Sequence, residues 1–199
     1  MDNVQEMLVK ALDGFGQRVR AVSDSQWAGS TPCDLWTVRD LVNHVVWILR
    51  WTPPLIAGTS AAEVGTRFEG DLLDDDPVAA WADAEHGTRQ AVREADLDRK
   101  ITTPYGELTV SEYLELVTAE ACVHTWDLAR SIGADETLDP GLVREVTDRY
   151  RTNRLYNGSA PGESWPAIFN PPVTGTSDAD PQSHLIMLVG RDPRTAAAG

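Results

Sequence analysis

The sequence predicts an all-α protein, a four-helix bundle with an additional C-terminal helix and an irregular tail. Three observations point there. Apolar residues recur at spacings of three and four in four long segments. Two of those segments open on a capping box, in which a Thr side chain and an acidic residue three positions on satisfy each other's backbone N–H groups. Strand-forming residues are confined to one stretch, "KITTPYGELT".

The first helix is expected over 3–22, with Val4, Met7, Leu8, Ala11, Leu12, Phe15 and Val19 on one face. A turn-rich connection, "SDSQWAGSTPCDLW", leads to the second helix, which starts at Thr37 with Asp40 closing its capping box. Pro53 and Pro54 should end or kink it, because proline lacks the N–H that continues a helix. Residues 58–76 read as a loop. Pro77 suits a helix first turn, and Val78, Trp81, Ala84, Thr88 and Val92 carry the third helix to Ala95. A short hairpin or extended loop precedes the fourth helix. That helix is capped by Thr109 with Glu112 and runs to Ile132, with Gly133 as its stop. A fifth helix is expected over 141–156, an irregular Gly/Pro/Ser/Asp-rich segment over 157–182, and a short final helix in "SHLIMLVGRDP". At 199 residues and 42% hydrophobic content, one domain over 1–193 can bury a core, with 194–199 a disordered tail.

The charge balance narrows the partners. Seventeen Lys and Arg against 31 Asp and Glu leave a net charge of −14. Such a chain has no basic patch to displace counterions, so neither nucleic acid nor an anionic membrane is expected as a partner. No apolar run is long enough to span a bilayer, and the N-terminus lacks the apolar centre of a secretory signal, so a cytoplasmic location is expected. The two cysteines, Cys33 and Cys122, form no Cys-x-x-Cys motif and read as buried or idle thiols in a reducing compartment.

The chemistry sits in "EACVHTWDLAR", residues 120–130. At about 100° per residue, Glu120 and His124 lie about 40° apart on one helix face, and Asp127 about 20° from Glu120. All three interrupt an apolar seam formed by Tyr113, Val117 and Leu128. A carboxylate buried there is costly unless it is paired or binds a metal. A facing histidine would complete a three-ligand site, and His44, on the edge of the second helix's core face, is the candidate. His86 and His184 sit in polar or irregular surroundings. Each residue also has a plainer role open to it: His44 as a hydrogen-bonded core histidine, Glu120 with His124 as a surface pair, Asp127 as the partner of Arg130 or Arg99. Asp40 is committed to its cap. Trp36, Trp47, Trp51 and Trp126 lie near the site in sequence, with core packing as their default.

The stretches "STPCDLWTVRDLVNHVV", "TPYGELT", "EACVHTWDLARSIG" and "IFNPPV…LIMLVGRDP" resemble the actinobacterial DinB-like metal-binding proteins, related to the metal-binding domain of mycothiol-dependent maleylpyruvate isomerase. The resemblance implies an up-down-down-up bundle and a divalent metal held by His44, Glu120 and His124. That isomerase carries a further C-terminal domain for which this chain has no room, so isomerisation of maleylpyruvate itself is not expected. Two imidazoles and a carboxylate suit Zn²⁺ with an open position, and Ni²⁺ or Fe²⁺ accept the same donors. The expected activity is thiol transfer or thiol-assisted isomerisation on a small electrophile. Mycothiol is the implied thiol, and Asp127 is the candidate catalytic residue orienting ligand or substrate. A non-catalytic metal- or ligand-binding module and a metal-water hydrolase remain the alternatives.

Overall fold

The computed structural model describes residues 3–103, 106–152, 169–174 and 179–195. Its elements are α1 (Asn3–Val19), α2 (Val38–Ile56), α3 (Ala61–Val64), α4 (Pro77–Arg93), β1 (Lys100–Thr103), β2 (Gly106–Thr109), α5 (Val110–Ser131), α6 (Pro140–Thr152) and α7 (Pro181–Leu188). The two strands form an antiparallel hairpin with Lys100 opposite Thr109 and Thr103 opposite Gly106.

Four long helices, α1, α2, α4 and α5, make the bundle, and side-chain pairings give their directions. α2 runs antiparallel to α5: Thr52 Oγ1 lies 3.3 Å from Tyr113 Oη at one end, and His44 meets Glu120 towards the other. α1 runs antiparallel to α4, with Gln5 donating to the Val92 carbonyl (2.7 Å) and Gly16 set against the Trp81 indole. Gly14 faces Thr125, while Val4 and Met7 share a cavity with Ser111 and Glu115, so α1 and α5 run parallel. The order is up-down-down-up. Among the described residues no helix is long and apolar enough to cross a membrane.

α5 is the central helix. It is buried along almost its whole length between α1, α2, α6 and the hairpin, so its apolar residues do not segregate to one face. Trp81, Trp126, Phe15, Leu12 and Leu49 anchor one shared hydrophobic core, each contributing on the order of 1.5–3 kcal/mol by burial.

Four expectations about the elements are revised. α1 stops at Val19, before the 3-10 turn at Asp24–Gln26. Residues 58–76 contain the short helix α3, capped by Ser60 with Glu63. α2 does not break at Pro53 and Pro54 but continues to Ile56. Proline 53 deprives the Leu49 carbonyl of its usual N–H partner, and the Thr88 hydroxyl of α4 supplies a hydrogen bond there instead, at 2.9 Å. The final helix ends at Leu188. "VGRDP" leaves it in a turn, with Gly190 at φ +83°, where an added Cβ would lie 2.5 Å from Asn170 Cβ. Position 190 therefore requires glycine. The predicted end of the fifth helix at 153–156, most of the irregular segment and the last four residues of the tail lie outside the described residues.

Candidate metal centre

Two capped helix starts set the depth of the site residues. Asp40 Oδ2 accepts from the Thr37 backbone N–H (2.9 Å) and hydroxyl (2.6 Å), which places His44 two turns into α2. Those bonds lower the Asp40 pKa and leave it occupied at the cap. Thr109 and Glu112 start α5 in the same manner. Glu120, His124 and Asp127 then follow at one-turn intervals along one stripe.

The two helices bring His44, Glu120 and His124 together. His44 Nε2 lies 3.2 Å from Glu120 Oε2, and His124 Nε2 lies 3.1 Å from the same oxygen. One ligand atom from each residue falls within a 4.8 Å sphere of separation. Exposure is graded across the group: the side chain of His44 is 28% exposed, Glu120 10% and His124 5%. The centre is thus closed on the α5 side and reachable past His44. Trp36 packs on His44 with ring centroids 4.7 Å apart and faces His124 at 6.1 Å. Trp47 stacks with His44 at 6.2 Å and lies 5.2 Å from Trp51, centroid to centroid. Trp36 and Trp47 are therefore walls of the site. Trp126 is buried, with the Arg130 guanidinium 4.5 Å over its ring.

The electrostatics suit a cation. Burial is the largest influence on Glu120 and pushes its carboxyl up. Hydrogen bonds and charge from His124 and His44 together outweigh it and bring the pKa down to about 2. His124 has a carboxylate oxygen at each ring nitrogen: Glu120 at Nε2 and Asp127 Oδ2 at Nδ1, 2.9 Å away. Burial pulls its pKa down, but the bonds to Asp127, Cys33 and Glu120 prevail and raise it. A carboxylate at each ring nitrogen favours the protonated ring. A divalent ion at Nε2 would take the place of a proton there and leave Nδ1 to face Asp127.

Asp127 has partners the sequence did not suggest. Its carboxylate is 0% exposed and grips the Arg191 guanidinium through both oxygens, at 2.9 Å and 3.2 Å. Neither Arg130 nor Arg99 is its partner. Arg130 bonds Glu136 and the backbone at Asp192 and Pro193, and Arg99 bonds the Ala57 carbonyl. Cys33 is not idle either. Its Sγ lies 3.4 Å from Asp127 Oδ2, 3.4 Å from Arg191 Nη2 and 3.9 Å from His124 Nδ1. Cys122 is buried, and burial pushes its thiol up to about 12, in keeping with an inert packing role. His86 is exposed and His184 pairs with Arg151 at 3.1 Å. Cys33, His124 and Asp127 form a second donor group overlapping the first. Nothing in the local sequence signals Arg191 or Cys33, since they reach Asp127 across 64 and 94 positions of chain respectively.

The fold and site together define a helical bundle with a paired-imidazole and carboxylate centre between its second and fifth helices. A sequence model of the family described as the mycothiol maleylpyruvate isomerase N-terminal domain matches residues 8–129. The chain belongs to that family. Two uncharacterised proteins of Mycobacterium tuberculosis, MT0763 of strain CDC 1551 / Oshkosh and Rv0738 of strain H37Rv, are each 31% identical over 140 residues, covering 68% of this chain and 71% of theirs. Two crystal structures share the fold. Mycothiol-dependent maleylpyruvate isomerase aligns with a TM-score of 0.55 at 17% identity, and its histidine-to-alanine mutant with 0.58 at 16%. Each alignment covers 79% of this chain and 71% of the other. The family match contains Cys33, His44, Glu120, His124 and Asp127 and ends before Arg191.

Proposed function

We propose that the chain holds one divalent metal ion through His44 Nε2, His124 Nε2 and the Glu120 carboxylate, and uses it to direct a low-molecular-weight thiol at a small electrophile. The observation that carries this reading is the convergence of two imidazole nitrogens on one buried carboxylate oxygen, with one flank of the group open past His44. Three donors of this kind suit Zn²⁺ with a free position, and Ni²⁺ or Fe²⁺ would accept them too. A metal there would lower the pKa of a bound thiol so that it reacts as thiolate at neutral pH.

The protein's own groups do the rest. Glu120 offsets the charge of the ion. Trp36 and Trp47 flank the approach past His44. In the transfer step the thiol proton goes to solvent and the sulfur electron pair forms the new C–S bond. The leaving group departs with the electrons of the bond that breaks. Membership of the family supports mycothiol as the thiol, and the two free cysteines suit the cytoplasm.

The test is conjugation of mycothiol to monochlorobimane, with chloride as leaving group, by metal-loaded protein. Expected is a rate that chelation abolishes and that His44→Ala and His124→Ala both lose. Stoichiometric metal without thiol chemistry, across a panel of electrophiles, would leave a metal- or ligand-binding module instead. Metal-dependent ester or amide cleavage would identify a hydrolase.

A further inference from the structure

We infer that Arg191 selects which of two overlapping donor groups holds the ion. It does so by filling the Cys33–His124–Asp127 group with its own charge and by locking Asp127 against His124 Nδ1. The inference rests on the metal-binding reading above. The two groups share His124 and use opposite nitrogens: Nε2 faces Glu120 and His44, while Nδ1 faces Asp127 and Cys33. An ion at Nδ1 would have a thiolate, an imidazole and a carboxylate, a donor set attractive to Zn²⁺ in its own right. What stands there is a guanidinium, 2.9 Å from Asp127 Oδ2 and 3.4 Å from Cys33 Sγ. Its charge already neutralises the carboxylate, and its bulk occupies the approach.

The fork also fixes direction. Arg191 Nε and Nη2 each reach one oxygen of Asp127, so the carboxylate plane is set rather than free to swing. Asp127 Oδ2 then accepts from His124 Nδ1. That bond assigns the tautomer and turns Nε2 toward Glu120 and His44. Asp127 is accordingly a positioning residue that has no exposed surface with which to touch a substrate.

Arg191 is itself held from several sides. Its backbone N–H donates to the Ile186 carbonyl at 3.0 Å and its Nη1 to the Val189 carbonyl at 2.8 Å. Its guanidinium sits 5.8 Å from the centre of the Phe169 ring. The turn that carries it depends on Gly190, and Arg130 clamps the next two carbonyls, of Asp192 and Pro193. A short C-terminal turn, outside the matched family segment, is thus fastened beneath the centre.

Cobalt substitution tests this directly, because cobalt–thiolate bonds give a near-ultraviolet charge-transfer band that nitrogen and oxygen ligands do not. Wild-type protein should bind one Co²⁺ without the band. Arg191→Met, of similar length but uncharged, should bind Co²⁺ about 10–100-fold more weakly at the original centre and acquire the band. The band should vanish in the Cys33→Ser/Arg191→Met double variant. Arg191→Lys, which restores charge without the fork, should suppress the band but recover only part of the affinity. Wild-type affinity without a band in folded Arg191→Met would overturn the inference. Weaker binding without a band would overturn the selection of site. Should Arg191→Met fail to fold, Asp127→Asn carries the test, with the same loss of affinity expected and unchanged affinity decisive against. If wild-type protein binds no Co²⁺ at all, the metal-binding reading fails first and this inference falls with it.

Discussion

Glu115 and Glu120 lie five residues apart on α5, with side chains 12% and 10% exposed, yet their carboxyls shift in opposite directions. Burial raises the pKa of Glu115. Its ion pair with Arg149, 3.0 Å away, does not compensate, and Glu145 and Glu112 add to the rise. Burial acts on Glu120 as well, but two imidazoles converge on it and bring it to about 2. Glu120 is the more deeply buried of the two, yet it is the one whose carboxyl is lowered, which separates an incidental acidic group from an assembled one. Burial alone does not mark a site; convergent donors from a second helix do.

The sharpest way to break this contrast is to remove each charge in turn. Glu120→Gln should lower affinity for Zn²⁺ at least about a hundredfold, roughly 2.7 kcal/mol, read by competition with a chromophoric chelator. Glu115→Gln should leave affinity within about twofold, since it touches no ligand; roughly 0.4 kcal/mol separates those cases from noise. Equal losses in both variants would erase the distinction. Next in size is the linkage between metal and fold. Chelation should lower the wild-type Tm by about 5–10 °C, as expected when an ion present near a hundred times its Kd is withdrawn. Glu115→Gln should show the same drop and Glu120→Gln almost none, measured by scanning calorimetry.

Acid should sharpen it further. An ion must displace the Nε2 proton of His124, which the flanking carboxylates hold to well above the usual imidazole range, so Zn²⁺ affinity should already be falling as pH drops through neutrality, followed by titration at fixed pH values. An affinity flat between pH 7 and pH 5 would argue against imidazole ligands. The smallest effect concerns Glu115 alone. Its folded pKa is raised, so the folded state holds that proton more firmly than the unfolded chain. The stabilisation is present at low pH and is lost as pH rises through the folded value. Glu115→Gln removes the penalty of ionisation, so its stability relative to the parent should improve from pH 4 to pH 7 in urea denaturation. A relative loss over that range would show that the Arg149 pair dominates.

Much of this arrangement was readable along the chain, where signals are local. The capping boxes at Thr37 and Thr109 fixed the starts of α2 and α5, and the spacing of Glu120, His124 and Asp127 put them on one stripe. The β-forming residues around Pro104 and Gly106 allowed a short hairpin or an extended loop, and the pairing of Lys100 with Thr109 makes it a hairpin. His44 needed a judgement about which face of α2 meets α5, and the structure sets it 3.2 Å from Glu120. What was not readable depends on contacts between distant segments. Pro53 and Pro54 both lie inside α2, and a hydroxyl from α4 serves the Leu49 carbonyl that Pro53 orphans. Arg191 finds Asp127 across 64 residues, and Cys33 finds the same carboxylate across 94. No periodicity records such meetings, so neither the Arg191 partner of Asp127 nor the place of Cys33 beside it is legible in the sequence.

The most direct test of the central claim is X-ray absorption at the zinc edge of stoichiometrically loaded protein. A first shell of nitrogen and oxygen only, at about 2.0–2.2 Å, with imidazole scattering from two histidines, is the predicted result. A sulfur shell at about 2.3 Å would place the ion on Cys33 in the neighbouring group and contradict the assignment to His44, Glu120 and His124.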